Sequence, residues 1–436
     1  MEYGLIGEKL GHSFSEIIHR EFGEYDYRLH EIPRGELDAF MAARDFRGIN
    51  VTIPYKKDVI PCLDHTDPAA EKIGAVNTVV NRDGKLYGYN TDITGITALI
   101  KRVLARSGRT DLSGLTVLIA GTGGTSLTAV AAARGLGAVN VIRMSRTGRD
   151  GATTYYRAEK RHSDAGFLIN CTPCGMYPDD ESIPVRLSRF GSLVGVVDVI
   201  YNPLRTRLVR AALKAGIPAE GGLYMLVSQA VAAYELFTGK KADGGLTDRI
   251  YAELMGSLEN IVLIGMPSSG KTTVGKYIAK KTGREFTDTD RVIVKNAGKD
   301  IKTIFAESGE AAFREIETET IRSLSCGNTG KVIATGGGAV LNVLNIERLK
   351  RNGRVYWLDR PLAALMPTSD RPVTSDRESL ARTFHFRYPK YKAYCDVRIS
   401  ARKNVPTTAE KVIAEFVKHS SPSTGDRADR TRGEGK

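Results

Sequence analysis

An α/β protein of more than one domain is what this sequence predicts, and three observations carry the prediction. Its 436 residues exceed what one hydrophobic core organises, at about 100–200 residues per domain. Two separate stretches, Thr116 to Arg134 and Asn260 to Lys281, run from an apolar strand through a glycine-rich loop into a helical pattern. Other short apolar runs (Tyr3 to Ile6, Gly48 to Ile53, Val139 to Met144, Gly166 to Asn170, Leu193 to Val199) are separated by helical stretches such as Glu16 to Phe22, Ile93 to Arg106 and Leu223 to Phe237.

Composition narrows the class. Apolar residues make up 42% and charged residues 26%, the balance of a soluble globular protein. No apolar run reaches the length of a membrane span, and Met1 to Leu10 lacks a basic-then-apolar leader, so the expected address is the cytoplasm. The formal net charge of +13 is spread along the chain rather than gathered into a block with interleaved aromatics. That favours small anionic substrates over nucleic acid or membrane. The five cysteines are an odd number without a framework and fit reduced thiols; Cys171-Thr-Pro-Cys174 has no second pair with which to build a zinc site.

In chain order, the strand Tyr3 to Ile6 opens into a loop carrying Ser13 and Ser15, whose hydroxyls can cap the following helix or grip a polyhydroxylated ligand. The strand Gly48 to Ile53, carrying Thr52, is stopped by Pro54 and projects Lys56 at its carboxyl end, where open α/β sheets bind ligands. Short polar residues then recur beside glycines: Gly74 to Thr78 with Asn77 and, after a turn at Asp83-Gly84, Gly88 to Asp92. Asp92 is the expected partner of Lys56, and a lysine so held can exchange a proton with a substrate oxygen. A surface salt bridge is the alternative.

Gly121, Gly123 and Gly124, with Thr125 and Ser126, form a G-x-G-x-x-small turn between strand and helix, the pyrophosphate site of a Rossmann unit. At the end of the next strand an NAD site would place a carboxylate; this chain has Ser145-Arg146-Thr147, which suits the 2′-phosphate of NADP. Two further strand ends, Thr172 to Met176 and Tyr201 to Pro203, are expected to line the nicotinamide crevice. Met176 and Gly222 are cofactor candidates there, and Tyr201 is a substrate candidate. Gln229 is the polar residue amid Met225, Leu226, Val227 and Ala230, able to face solvent or reach the substrate.

Gly265 to Thr272 is G-x-x-x-x-G-K-T. Backbone N–H groups of Gly265, Ser268, Ser269, Gly270 and the helix start at Thr273 can cradle phosphate, Lys271 can reach the β/γ-phosphates, and Thr272 can ligate Mg²⁺.

His12 to Ser15, Asn50 to Lys56, Gly74 to Thr78, Asn90 to Asp92, Asn170 to Met176 and Gly222 to Gln229 together resemble shikimate dehydrogenase over Met1 to about Met255. The resemblance implies a substrate domain at 1–95, a Rossmann NADP domain at 96–237, and a returning helix with a short linker at 238–259. It implies that Ser13, Ser15, Thr52, Asn77, Asp92 and Gln229 hold the substrate while Lys56 and Asp92 carry the proton. The prolines that the family places beside the serine pair are replaced by Lys9 and Glu16, from which altered loop stiffness is expected.

Gly265 to Thr272, Asp288 to Asp290, Ile304 to Glu317, Gly336 to Gly338, Arg371-Pro372 and Arg387 to Tyr391 resemble shikimate kinase from Asn260 to about Lys418. That implies a P-loop, nucleoside-monophosphate-kinase-like α/β domain at 260–419. Asp290 would accept the proton of the attacking hydroxyl, and Asp288 would support Mg²⁺ through water. Arg314, oriented by Glu317, and Arg387 would clamp a carboxylate, with Gly336, Gly337 and Gly338 letting the acid approach. The lid reads Met366 to Val373, about two residues short, with Pro367 where the family has an arginine. Arg371 remains to neutralise the transferring phosphoryl group, so weaker nucleotide binding is expected before lost chemistry. The tail 420–436 has no large apolar residue and is expected to be disordered.

The sequence therefore predicts a bifunctional enzyme that reduces 3-dehydroshikimate with NADPH and phosphorylates shikimate with MgATP, its partners being those small molecules. A dehydrogenase acting on shikimate or quinate and carrying a non-catalytic ATP-binding module is the alternative.

Overall fold

The computed structural model describes residues 2–11, 13–367, 374–402 and 404–420. The chain divides into two compact units, 1–251 and 252–436.

Unit 1 contains two six-stranded sheets. The first joins β1 (Tyr3–Gly7), β2 (Tyr27–Glu31), β3 (Gly48–Val51), β4 (His65–Thr66), β5 (Thr78–Arg82) and β6 (Lys85–Tyr89) in the order β2-β1-β3-β5-β6-β4. β1 is parallel to β2 and β3, β5 runs antiparallel to both β3 and β6, and β4 is parallel to β6. Asp83 (φ 52°) and Gly84 (φ 80°) both take left-handed backbone, which closes a two-residue hairpin between β5 and β6. This hairpin sets Asn77 and Thr91 side by side at the sheet's end.

The second sheet is parallel, with β7 (Thr116–Ala120), β8 (Asn140–Ser145), β9 (Thr153–Thr154), β10 (Phe167–Asn170), β11 (Gly195–Asp198) and β12 (Ala219–Glu220) in the order β12-β11-β10-β7-β8-β9. Strand order reverses at β7, so the crevice at its carboxyl end is where such a sheet binds ligands. Val117, Ile119, Phe167, Ile169 and Val197 are fully buried and pack on Ile96, Leu99, Ile100 and Val103 of the helix Asp92–Arg106. The helix Leu223–Thr238 joins both cores of the unit, with Met225 in this cluster and Ala233 and Phe237 packed with Tyr3 and Leu5 of the first sheet.

Unit 2 has one parallel sheet, β14-β15-β13-β16-β17, from β13 (Asn260–Ile264), β14 (Glu285–Asp288), β15 (Lys331–Ala334), β16 (Gly353–Asp359) and β17 (Val397–Ser400). β13 lies between β15 and β16 and leads into the glycine loop and the helix Lys271–Thr282. Two features of this unit were not specified by the sequence. Gly256 to Leu258, expected as linker, are the last turn of the helix Leu246–Leu258, and only Glu259 separates that helix from β13. The Arg284 guanidinium donates to the carbonyls of Gly256 and Glu259, satisfying acceptors that a helix end leaves open. The stretch Ile301–Ser325 is broken at Gly309 (φ 78°), which redirects Phe313 and Arg314. Among the described residues no helix is long and apolar enough to cross a membrane.

Candidate active sites

In unit 1 the strand ends and the helix Leu223–Thr238 converge. Lys56 Nζ lies 2.6 Å from Asp92 Oδ2, the two side chains being 28% and 14% exposed. That is a short charge-assisted contact, shielded enough to persist yet open to a ligand. Asp92 begins the helix Asp92–Arg106, where the helix dipole favours its negative charge. Asn77 is buried and accepts the Thr91 backbone N–H at 2.7 Å while its Nδ2 donates to Thr91 Oγ1 at 3.1 Å. Gln229, read from the sequence as solvent-facing or substrate-facing, is buried, and its Oε1 accepts from Thr91 Oγ1 at 3.3 Å. Ser13 and Ser15 do not cap the helix Ser15–Arg20, whose cap residue Phe14 makes no side-chain bond. Instead Ser13 Oγ accepts the Ser15 N–H at 3.2 Å, a local turn that leaves the Ser13 O–H to point elsewhere. The Phe14 ring stands 5.6 Å from that of Tyr201. Thr52 is half-buried just after β3.

The fit to a dinucleotide is tested by the turn after β7. Gly121 has φ 112°, and a Cβ there would stand 3.2 Å from the Cys171 carbonyl, so both backbone and space select glycine. Gly123 ends the turn without a side-chain cap, leaving the first amides of the helix Gly124–Gly135 for pyrophosphate. Thr125 follows in the first turn. Ser126, expected at the cofactor, is fully buried with both its N–H and hydroxyl donating to the Gly123 carbonyl, which turns it away from the crevice. Ser145 Oγ accepts the Gly148 N–H at 2.9 Å, and this turn exposes Arg146 and Thr147. Met176 is 44% exposed, and Gly222 precedes the helix Leu223–Thr238. These residues fit NADP.

One residue in this region went unnoticed in the sequence. Asp198, at the end of β11, is fully buried, and burial pushes its carboxyl up to about 7 although Thr206, the Ile200 N–H and Asn170 all donate to it. Asn170 in turn accepts from Thr172, fixing the strand-end loop.

In unit 2 a cavity of about 370 Å³ is lined by Asp288, Asp290, Arg314, Glu317, Gly336 to Gly338 and Arg387, together with Phe305 and Phe313. Its scale suits a small carboxylic acid. Gly265 has φ 149°, and Lys271 is buried with Nζ donating to the carbonyls of Gly265 and Met266, both at 2.9 Å. Gly270 (φ 93°) precedes the helix, Ser269 is buried, and Thr273 faces outward. Ser268, with φ 63°, donates its hydroxyl to the Met366 carbonyl at 2.7 Å. Thr272 Oγ1 donates to Asp288 Oδ2 at 2.7 Å, a hydroxyl beside a carboxylate that fits Mg²⁺ held with a triphosphate.

Asp288 also accepts the N–H of Asp290 and caps that helix. Arg314 is held by Glu317 and Glu310, each at 2.8 Å. Burial raises the Glu317 pKa, with the neighbouring Arg314 charge opposing it, and burial lowers that of Arg387. The three glycines lie close to these groups. A Cβ on Gly336 would stand 2.5 Å from Asp290 Oδ1 and 2.7 Å from Glu317 Oε1, and one on Gly338 would overlap the Arg314 guanidinium. Tyr391 donates to the Gly337 carbonyl at 2.6 Å. Arg291, unremarked in the sequence, adds an exposed cation to the cavity wall. Arg371 and the tail 421–436 lie outside the described residues.

Comparisons agree with both halves. Family models for the shikimate dehydrogenase substrate binding domain and the shikimate 5′-dehydrogenase C-terminal domain match residues 5–79 and 222–255, and the shikimate kinase model matches 267–420. A shikimate dehydrogenase (NADP(+)) of Clostridium perfringens is 34% identical over 275 residues, covering 58% of this chain and 97% of that protein. A chorismate mutase/shikimate 5-dehydrogenase fusion from Clostridium acetobutylicum superposes with TM-score 0.53 at 32% identity, over 58% of this chain and 96% of that one. The Thermus thermophilus shikimate 5-dehydrogenase in complex with NADP(H) and shikimate gives 0.50 at 30%, over 57% and 98%. The chain belongs to the shikimate dehydrogenase family and continues into a shikimate kinase domain, which makes it a bifunctional enzyme of the shikimate pathway using NADP, ATP and Mg²⁺.

Proposed function

We propose that Lys56 and Asp92 form the proton-transfer pair of the dehydrogenase and Asp290 the base of the kinase, so that one polypeptide makes shikimate and then consumes it. The observation that carries the first assignment is the 2.6 Å contact between Lys56 Nζ and Asp92 Oδ2. The bound nicotinamide supplies hydride to the ring carbonyl carbon. Lys56 Nζ gives its proton to the carbonyl oxygen, and Asp92 stabilises the ammonium before transfer and orients it. Asn77 and Gln229 hold ring hydroxyls, with Ser13, Ser15, Thr52 and Tyr201 completing the grip. Arg146 meets the 2′-phosphate.

In the kinase, MgATP supplies the phosphoryl group. Asp290 accepts the hydroxyl proton, Arg314 and Arg387 clamp the carboxylate, and Lys271 and Arg371 balance phosphoryl charge. Domain limits near 95, 237 and 259 fit these roles, each half of the dehydrogenase contributing one wall. The reading in which the C-terminal unit only binds ATP is motivated by Pro367. The cavity with Asp290, Arg314 and Arg387 on its wall supports transfer. The test is rate against substrate identity: shikimate with NADP⁺ should be preferred over quinate or NAD⁺, and MgATP with shikimate should yield shikimate 3-phosphate. Equal rates with quinate, or ATP binding without product, would overturn the respective half.

A further inference from the structure

Beside Asp92 the buried polar side chains form one connected chain running from Tyr27 to Gln229. We propose that Tyr27 and Thr78, neither of them a substrate contact, are positioning residues that fix Asn77 and Gln229 as hydrogen-bond donors toward the substrate. The inference rests on the dehydrogenase reading of this site.

Amide orientation is normally ambiguous, but here each of three amides is oriented by a backbone group. Asn50 Nδ2 faces the Asn77 carbonyl at 3.4 Å, which can only accept. Asn77 Oδ1 faces the Thr91 N–H at 2.7 Å, which can only donate. Gln229 Nε2 donates to the Leu226 carbonyl at 3.0 Å. The hydroxyls must then follow. Tyr27 O–H faces Asn50 Oδ1 at 2.7 Å and therefore donates. Thr78 Oγ1 accepts from Asn50 Nδ2 at 3.0 Å and donates to Asn77 Oδ1 at 3.1 Å. Thr91 Oγ1 accepts from Asn77 Nδ2 and donates to Gln229 Oε1. Thr91 Oγ1 also lies 3.1 Å from Thr78 Oγ1 and 3.3 Å from Asn77 Oδ1, so the two threonine hydroxyls are joined directly as well.

The chain starts from a fixed end. Tyr27 is buried and stacks on the His19 ring at 3.8 Å with an 8° tilt, and its burial holds the phenol pKa well above the ordinary value, so it stays a donor. At the other end, one N–H of Asn77 goes to Thr91 Oγ1 and one of Gln229 to the Leu226 carbonyl, leaving a second on each for the substrate. Oxygens that meet these amides must accept, whereas a hydroxyl that meets Asp92 donates. The site so arranged favours neutral oxygen substituents at the amide positions and rejects ammonium there.

The test measures steady-state kinetics of the full chain with shikimate and NADP⁺ for Tyr27→Phe, Thr78→Val and Thr78→Ser. Removing a hydroxyl leaves the amides held by their backbone partners alone, and a grip loosened by about one hydrogen bond to bound substrate predicts a rise of about tenfold in KM for shikimate. kcat should change less, because the lost grip acts on ground and transition states alike. KM for NADP⁺ should hold, and Thr78→Ser, which restores the hydroxyl, should restore KM. If KM for shikimate stays within about twofold of wild type in Tyr27→Phe and Thr78→Val, or KM for NADP⁺ rises in parallel, or Thr78→Ser behaves as Thr78→Val, the positioning role is wrong. Should Thr78→Val not fold, Tyr27→Phe at the far end decides. Absence of any wild-type activity with shikimate would instead overturn the dehydrogenase reading itself.

Discussion

Gly338→Ala tests the kinase cavity through one added carbon. Gly338 has φ −97° and ψ −6°, a conformation open to alanine, so backbone strain makes no contribution. The new Cβ would overlap the Arg314 guanidinium. A flexible arginine could step aside at little cost, but this one is held at 2.8 Å by both Glu317 and Glu310. It must break those contacts or leave the position from which it clamps a carboxylate. Loss of a charged hydrogen-bonding partner is worth about 1.5–3 kcal/mol, which is roughly 10- to 150-fold in KM for shikimate. The assay is ADP release against shikimate concentration at saturating MgATP. NADPH oxidation by the same preparation serves as the control, since the dehydrogenase lies in the other unit. Gly336→Ala should differ in kind, because its Cβ would crowd Asp290 Oδ1, and kcat should fall more than KM rises. An unchanged KM in Gly338→Ala would show that Arg314 does not hold the acid.

Lys56→Ala should lower dehydrogenase kcat by about 10²–10⁴-fold with the kinase intact, and Asp290→Asn should do the reverse; initial rates of both reactions check the pair. Chelation of Mg²⁺ by EDTA should stop ADP formation and leave NADPH oxidation unchanged, because the Thr272 and Asp288 pair serves only the kinase. His19 is fully buried, and burial lowers its pKa to about 3 from the ordinary 6.5. Between those values the unfolded chain binds a proton that the folded chain does not, so stability is present above about 6.5 and is lost as pH falls toward 3. His19→Phe should flatten this slope in thermal inactivation of the dehydrogenase, and an unaltered slope would remove His19 as its cause.

The parts of the sites that were legible in the sequence are those in which local geometry and chemistry coincide. Lys56 follows a proline that stops a strand, and Asp92 opens a helix, so their meeting could be expected from topology alone. The glycine turns at Gly121 and Gly265 need positive φ, which the sequence advertises by residue type. The roles of Tyr27 and Thr78 were not legible because their partner Asn50 lies on another strand: the register Asn50↔Thr78 brings Thr78 to it, and the Tyr27 hydroxyl reaches it from β2. Asp198 was hidden among apolar residues of β11, whose pattern reads as ordinary core. The returning helix and short linker expected at 238–259 could not be divided from the sequence, because Arg284, which donates to the carbonyls of Gly256 and Glu259 at the helix end, lies well downstream. Gly309 sits inside a helical pattern, and only the backbone shows that it redirects Arg314.

Shikimate made by one half of the chain is the substrate of the other half. The direct measurement supplies 3-dehydroshikimate, NADPH and MgATP together and follows NADPH absorbance and ADP release in one cuvette. ADP that appears only after NADPH oxidation begins, and only when 3-dehydroshikimate is present, is the predicted result. NADPH oxidation without ADP, even when shikimate is added directly, would contradict it and leave the C-terminal unit as a nucleotide-binding module.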